Sequence, residues 1–303
     1  MNPKVTIAIC TRDHPDDLHR CLTAVRRVRG RICEILVVDN APSNSATRQI
    51  AAEFGARYVC EPVPGLRHAR NRALQEAEGD LIAFTDDDCE PEPDWVEALV
   101  KPFADPEVAC VTGKAISGPN MNHVQRQFES LSRSFCVDRE ITISRADIGR
   151  FWYRGVHGVG ANMAVRRDFL LSCGGCQALA DDDYIFFTLL RSGGKLHYTP
   201  RSIVRERHRA GFWETLLRYY QYGFGEIGTM WVLGAEDSNL QSVFENTAWL
   251  MLINCRQIAA DSLRLHPTRV LFGLAHLTGL LSGTLLGWRE ITDRPLRRFF
   301  HVA

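Results

Sequence analysis

Short apolar runs and amphipathic stretches alternate over the first third of the chain. Val5-Thr6-Ile7-Ala8-Ile9-Cys10 has the length and composition of a strand. After the turn residues Asp13, Pro15 and Asp16, the apolar positions Leu18, Cys21, Leu22, Val25 and Val28 recur at helical spacing. Glu34-Ile35-Leu36-Val37-Val38 predicts a second strand and Ala56-Arg57-Tyr58-Val59-Cys60 a third, after which Pro62-Val63-Pro64-Gly65 leads into a helix opening at Leu66. Asp80-Leu81-Ile82-Ala83-Phe84-Thr85 completes the series. The order β-α-β-α-β-α-β predicts right-handed crossovers and a parallel sheet with helices on both faces, and the near-continuous apolar runs are those of strands buried on both sides.

The pattern weakens further along. From Ser117 to Tyr153 there is no clear strand signal. Arg126, Arg133, Arg139, Arg145, Arg150 and Arg154 punctuate the stretch, which reads either as a segment that orders over a ligand or as an amphipathic helix near residues 121–137. Gly211 to Leu233 is aromatic-rich and helical in character, and residues 239–264 predict an amphipathic helix. Val270 to Trp288 holds no Asp, Glu, Lys or Arg, carries Gly279, Gly283 and Gly287 at four-residue spacing, and is followed by Arg289, Arg294, Arg297 and Arg298. That run is just long enough to span a bilayer, but His276, Thr278, Ser282 and Thr284 weaken it. A spanning helix, a membrane-surface helix and a buried hairpin or subunit contact all stay open.

Composition narrows the class. A chain of 303 residues with 45% hydrophobic content can bury one large core or a core with a smaller lobe, and zero formal net charge gives no electrostatic argument for nucleic acid as a partner. The ten cysteines fall mostly in or beside predicted strands and helices, among them Cys10, Cys21, Cys33, Cys60 and Cys110. There a free thiol packs as a small hydrophobe, and reduced thiols in the cytoplasm are expected. Cys173-Gly174-Gly175-Cys176 has no second pair to complete a zinc site, so a turn is the expectation. A strand begins almost at once and no signal-peptide pattern precedes it.

The chemistry begins where the fourth strand ends. Asp86-Asp87-Asp88 leaves the sheet at the strand's carboxyl end, the edge at which open α/β sheets bind ligands. Adjacent carboxylates repel, and a divalent cation shared with a diphosphate relieves that repulsion; an acidic turn capping the following helix is the structural alternative. Thr11, Asp39, Asn40 and Arg70 are delivered by the other elements to the same rim.

Together with Thr6-Ile7-Ala8-Ile9-Cys10-Thr11-Arg12, Leu36-Val37-Val38-Asp39-Asn40, Gly65-Leu66-Arg67-His68-Ala69-Arg70-Asn71-Arg72-Ala73 and Ala83-Phe84-Thr85-Asp86-Asp87-Asp88-Cys89, two downstream segments complete a pattern. They are Gly160-Ala161-Asn162-Met163-Ala164-Val165-Arg166-Arg167 and Asp181-Asp182-Asp183-Tyr184 with Leu189-Leu190-Arg191-Ser192-Gly193-Gly194. The set resembles the family 2 glycosyltransferases over roughly residues 3–210, and ordered motifs at compatible spacing are more specific than a lone DxD match.

The resemblance implies a GT-A type α/β fold, a mostly parallel sheet with helices on both faces, to which the pattern of the last third adds a C-terminal helical extension. Residues 1–210 would form the catalytic domain, with 1–115 as its nucleotide-binding half and 116–210 as its acceptor-side half; 211–303 would be a helical, membrane-associated or buried region. It assigns Thr11, Arg12, Asp39, Arg70, Asp86, Asp87, Asn162 and Asp181 to the nucleotide sugar, and Asp88 to a Mn²⁺ or Mg²⁺ ion. By register with Leu189-Leu190-Arg191-Ser192-Gly193, Asp181 takes the family's Glu position and Asp182 that of the catalytic base. The Asp-for-Glu departure leaves Asp183 as an alternative base. Ile203-Val204-Arg205-Glu206-Arg207-His208 resembles the family's Val-x-His-x-His segment, with Glu206 at the first His position and His208 as the expected metal ligand.

The activity implied by the resemblance is a metal-dependent, inverting transfer from a nucleotide sugar, most simply a uridine diphosphate sugar, to a hydroxyl of a glycan or lipid-linked acceptor. Negative charge grows on the leaving phosphate and calls for cationic groups, while the acceptor proton calls for a carboxylate. The expected seat is the cytoplasm or the cytoplasmic face of a membrane, with a membrane surface and a second copy of the chain as further partners. A sugar nucleotidylyltransferase is the competing enzyme class, disfavoured because Cys10-Thr11-Arg12-Asp13-His14-Pro15 lacks a Gly-rich loop for a triphosphate. A binding protein that keeps the fold without activity is the other alternative, suggested by Asp181 and Glu206.

Overall fold

The computed structural model describes residues 3–118, 126, 137–147, 159–176, 181–207, 211–236 and 240–293. Strands β1 (Val5–Thr11), β2 (Ile32–Asn40), β3 (Arg57–Glu61) and β4 (Leu81–Asp86) alternate with helices α1 (Pro15–Val25), α2 (Ala46–Glu53) and α3 (Leu66–Glu76). They lie side by side as β3-β2-β1-β4, every neighbour parallel. Ile7, Ile9, Val37 and Ala83 from the strands, Leu18 and Leu22 from α1 and Trp95 share one buried core. Each large apolar side chain among them contributes about 1.5–3 kcal/mol of burial.

Past β4 the sheet becomes mixed. Strands β5 (Cys89–Pro91), β6 (Val108–Ser117), β7 (Ile141–Ile143), β8 (Met163–Arg166) and β9 (Lys195–Glu206) complete a nine-stranded sheet, with helices α4 (Trp95–Val100), α5 (Arg167–Ser172) and α6 (Asp181–Arg191) between them. β8 inserts antiparallel between β4 and β6, β6 and β9 run parallel, and β5 and β7 add antiparallel to β9. β7 lies inside the stretch that reads as strandless. Three residues of Ile-Thr-Ile alternation are too short to register as a periodic signal, and the strand exists through its partner. Ile143 is buried, and the Thr142 hydroxyl and His197 Nδ1 share a 2.8 Å hydrogen bond. The helical alternative at residues 121–137 falls outside the described residues except for Arg126, which is helical, and Val137, which is not.

Every described cysteine is a free thiol. Cys10, Cys21 and Cys110 are buried as expected, whereas Cys33 and Cys60 are exposed, because β3 is the edge of the sheet and Cys33 sits near the open start of β2. The Cys173–Cys176 segment is a turn. Gly174 and Gly175 have φ of 87° and 74°, and Asn71 clamps the backbone of Cys176, donating from Nδ2 to its carbonyl at 2.7 Å and accepting its N–H at 2.8 Å. A side chain on Gly175 would collide with the same Asn71 amide at 2.5 Å.

The chain divides into two compact units, one comprising 1–119, 132–177 and 184–208, the other 120–131, 178–183 and 209–303. In the second, helices α7 (Phe212–Glu236), α8 (Leu240–Leu263) and α9 (Pro267–Asp293) occupy the three stretches with helical character. The glycine ladder packs α9 against α7. A Cβ on Gly279 would lie 2.1 Å from the Tyr220 carbonyl oxygen and one on Gly283 3.0 Å from that of Phe224, while across the seam one on Gly223 would lie 2.2 Å from that of His276. Backbone opposes backbone there, so no rotamer change relieves an added methyl. Gly279→Ala is expected to destabilise the helical unit by about 1–3 kcal/mol, read as a lower first transition in calorimetry; an unchanged transition would mean that the two helices separate easily. Among the described residues no helix is long and apolar enough to cross a membrane; the side chains that end the Val270–Trp288 run, from residue 286 on, lie outside those described.

Candidate active site

The carboxyl ends of β1, β2 and β4 set out the polar residues in order. Thr11 and Asp39 are register partners on β1 and β2, and Cys10 pairs with Asp86 on β4. Thr11 is buried, and its hydroxyl donates to Asp87 Oδ2 at 2.5 Å. Arg12 follows in an exposed turn. Asp13, with φ of 56°, accepts from both the backbone N–H and the hydroxyl of Ser43 at 2.9 and 2.8 Å, tying the turn after β1 to the turn after β2.

Asp39 is fully buried. Tyr58 donates its hydroxyl to Oδ2 at 3.0 Å, and Oδ1 has no hydrogen-bond partner among the described residues. Burial pushes this carboxyl above its usual range, against the hydroxyls of Tyr58 and, outside strict hydrogen-bond geometry, Thr47, which pull it down. A buried carboxylate oxygen without a donor is costly, and an N–H supplied by a ligand would satisfy it. Next to it, Asn40 donates from Nδ2 to the Val63 carbonyl at 2.7 Å and accepts the Gly65 N–H at 2.7 Å. These bonds hold the Pro-rich loop at the mouth of α3, where Gly65 takes φ of 126°.

Arg70 shares the buried face of α3 with Ala69, Ala73 and Leu74. Its guanidinium lies 5.9 Å from the Phe84 ring centre, and Nη2 is 3.9 Å from Asp86 Oδ1. A buried cation is thereby set beside a half-exposed carboxylate at the rim. His14 Nδ1 lies 3.6 Å from Asp87 Oδ2, a neighbour that sequence reasoning passes over, although its position three residues after Thr11 puts it within one turn of the rim. Tyr58 is the other omission. Its partner in register is Val37, so its reach to Asp39 follows only from knowing the pairing of β2 with β3.

Asp88 is half-buried, and its carbonyl accepts the Arg207 N–H at 2.9 Å while Cys89 pairs with Glu206. The end of β9 is thereby fastened to the acidic triplet immediately before residue 208. His208 itself lies outside the described residues. Burial, joined by the charges of Glu206, Asp86 and Asp88, pushes the Cys89 thiol well up, and burial with the charges of the triplet does the same for Cys21. The negative field of the strand end is therefore felt by the core beneath it. Among the described residues no three of His, Cys, Asp and Glu are grouped to hold a metal. The carboxylates of the triplet are hard oxygen donors of the kind a divalent cation would take.

Asn162 has a different environment from a binding residue. It is fully buried, its Nδ2 donates to the carbonyls of Lys114 and Ser202 at 3.0 Å each, and its Oδ1 accepts from Trp95 Nε1 and the Ser202 hydroxyl at 2.8 Å each. Its amide is spent on joining β6, β9 and α4. A Cβ on Gly113 would strike it at 2.4 Å, which accounts for the glycine opposite. Asp181 and Asp182 stand in the first turn of α6, Asp182 half-buried; the side chains of Asp181 and Asp183 lie outside those described.

Parallel strands that end in a buried carboxylate and an acidic triplet, with a buried arginine on the neighbouring helix, set the chain among α/β transferases. The family model for glycosyl transferase family 2 matches residues 6–174, more than half of the chain, and the protein belongs to that family and is a glycosyltransferase. It is 24% identical over 271 residues to glycosyltransferase AglE of Haloferax volcanii, covering 82% of this chain and 81% of that one. To the succinoglycan biosynthesis protein ExoM of Rhizobium meliloti it is 27% identical over 221 residues, covering 67% and 66%. A mannosyltransferase from Pyrobaculum calidifontis, solved with GDP-Man and Mn²⁺, superposes with a TM-score of 0.64 at 18% identity, covering 94% of this chain and 88% of that one, which establishes the shared fold.

Proposed function

We propose that the protein is a metal-dependent, inverting glycosyltransferase that moves a sugar from a nucleoside diphosphate, uridine diphosphate by preference, to a hydroxyl of a glycan or lipid-linked acceptor at a cytoplasmic membrane face. The observation that carries this reading is Oδ1 of buried Asp39, which has no hydrogen-bond partner among the described residues, in register beside Thr11 and on the same sheet edge as Asp86, which Arg70 of α3 approaches. Asp39 accepts an N–H of the base, Arg70 and Arg12 meet the phosphates, and Asp86 and Asp87 face the ribose and sugar. Asp181 assists the donor sugar. Asn162 supports the donor site indirectly, by holding β6 and β9 together under it.

Asp182 takes the proton of the acceptor hydroxyl as the acceptor oxygen attacks the anomeric carbon. The bond from that carbon to the diphosphate oxygen breaks in the same displacement, so the anomeric configuration inverts and the nucleoside diphosphate leaves. A divalent cation held by Asp88 and His208 would neutralise charge on the leaving diphosphate. An acceptor of polysaccharide type is favoured by the likeness to ExoM, named for succinoglycan biosynthesis.

Melting the protein with UDP-, GDP- and other nucleotide sugars, with and without Mn²⁺, tests the donor, because a ligand bound only to the folded state raises stability. A rise with a UDP-sugar that needs Mn²⁺ supports the reading. A rise with GDP-mannose alone would replace the base, and none with any nucleotide sugar would refute the proposal.

The raised Asp39 carboxyl adds a pH signature. Its folded value lies above 3.8, so the folded state holds the extra proton between the ordinary and the raised value, and stability falls as pH rises through that window. A base N–H needs the ionised form, so nucleoside affinity should rise with pH over the same window. Asp39→Asn should abolish that dependence and weaken nucleoside binding by roughly tenfold or more, while leaving stability equal or higher. Isothermal titration across the window checks the sign.

A further inference from the structure

The turn between α8 and α9 leaves two leucines almost wholly in water, Leu263 at 87% and Leu265 at 86% exposure. The Leu265 N–H donates to the Ser262 carbonyl at 3.1 Å and the His266 N–H to that of Asp261 at 2.9 Å. This bond pair ends α8 and forces residue 265 into the left-handed region, at φ of 56°. Glycine adopts that conformation freely and leucine at a cost. Leu265 is therefore unfavourable in both backbone and exposure, and neither helix termination nor core packing explains it.

Charge at the same tip is one-sided. From Met251 to His276 the only acid in the sequence is Asp261. It is buried, ion-paired with Arg269 Nε at 3.3 Å, and accepts from Gln257 Nε2 at 2.9 Å. Arg256, Arg264 and His266 are exposed, and so are Leu252, Ile253, Leu271 and Leu274 on the two helices leading to the turn. Apolar side chains at a hairpin tip, in a stretch from Met251 to His276 whose exposed charges are all cationic, match an anionic lipid surface in both polarity and charge.

We infer that the α8–α9 turn seats the enzyme on an anionic bilayer, Leu263 and Leu265 entering the apolar layer and Arg256 and Arg264 meeting lipid phosphates. The inference rests on the membrane seat proposed above and assigns it to this turn rather than to the cations after α9. Flotation of the full chain with phosphatidylcholine vesicles, with and without phosphatidylglycerol, tests it, alongside light scattering without lipid. The wild type should float with the anionic vesicles and lose that binding in high salt. Leu265→Gly removes the side chain while suiting the left-handed backbone, so it should melt no lower than wild type yet partition roughly tenfold less. Arg256→Gln with Arg264→Gln should lower binding roughly fivefold per charge.

If the wild type floats and Leu265→Gly floats equally, another surface holds the membrane and the assignment fails while the membrane seat stands. If the wild type floats with neither vesicle, the seat itself falls. Equal flotation with phosphatidylcholine alone would overturn the anionic partner. A dimer in the absence of lipid that Leu263→Ser with Leu265→Ser dissociates would make the turn a contact between copies instead.

Discussion

Asp182→Asn is expected to leave donor binding intact and to lower sugar transfer by about 10²-fold or more, the usual loss when a general base is removed. The position lies in the first turn of α6 and is half-buried, so the isosteric amide is accommodated without rebuilding the helix start. Because the base acts on the acceptor, the loss should fall on kcat, with the donor's KM little changed. Steady-state rates of nucleoside diphosphate release, with donor and acceptor varied separately, make the measurement. Should Asp183→Asn behave this way and Asp182→Asn not, the base is one residue further on; if neither loses turnover, the mechanism is wrong.

The second large effect is expected at Asp88. Asp88→Asn keeps the shape of the turn and the backbone bond from Arg207 N–H to its carbonyl, both needed to hold the end of β9. It removes a charge that offsets a divalent cation. Metal-assisted donor affinity should fall by roughly tenfold or more, while affinity measured in a chelator barely moves, since about one or two kcal/mol of charge-assisted binding is at stake. Titration of the donor with Mn²⁺ and with EDTA separates the two. Unchanged metal dependence in a folded Asp88→Asn protein would defeat the assignment of Asp88 to the cation.

The approach of Thr11 to Asp87 and of Arg70 to Asp86 is legible from the order of elements, because parallel strands deliver their last residues to one edge whatever the details of the core. Arg70 is further marked by its place in the helical stripe of Ala69, Ala73 and Leu74. Asn162 illustrates the opposite case. Its motif neighbours suggest ligand binding, but whether an amide faces a ligand or a scaffold depends on which carbonyls and donors converge on it, and those come from residues 95, 114 and 202.

The glycines of α9 show the same division. Their spacing announces close approach of another helix, but not which one, and the structure supplies α7 inside the same unit. Leu263 and Leu265 look like ordinary core leucines at the end of an amphipathic helix until the chain reversal at the turn leaves them in water.

By itself the sequence determined the parallel half of the sheet, its helices and the residues at its carboxyl edge, because apolar runs buried on both faces and helical stripes are local signals that burial then enforces. Only the tertiary structure decided the insertion of β8 between β4 and β6, the short strands β5 and β7, the reach of Tyr58 to Asp39, the tethering of β9 to Asp88 and the exposed tip of the helical unit. Each depends on which distant segments come to lie side by side. A three-residue strand or a lone hydroxyl carries too little local free energy to declare its partner in advance.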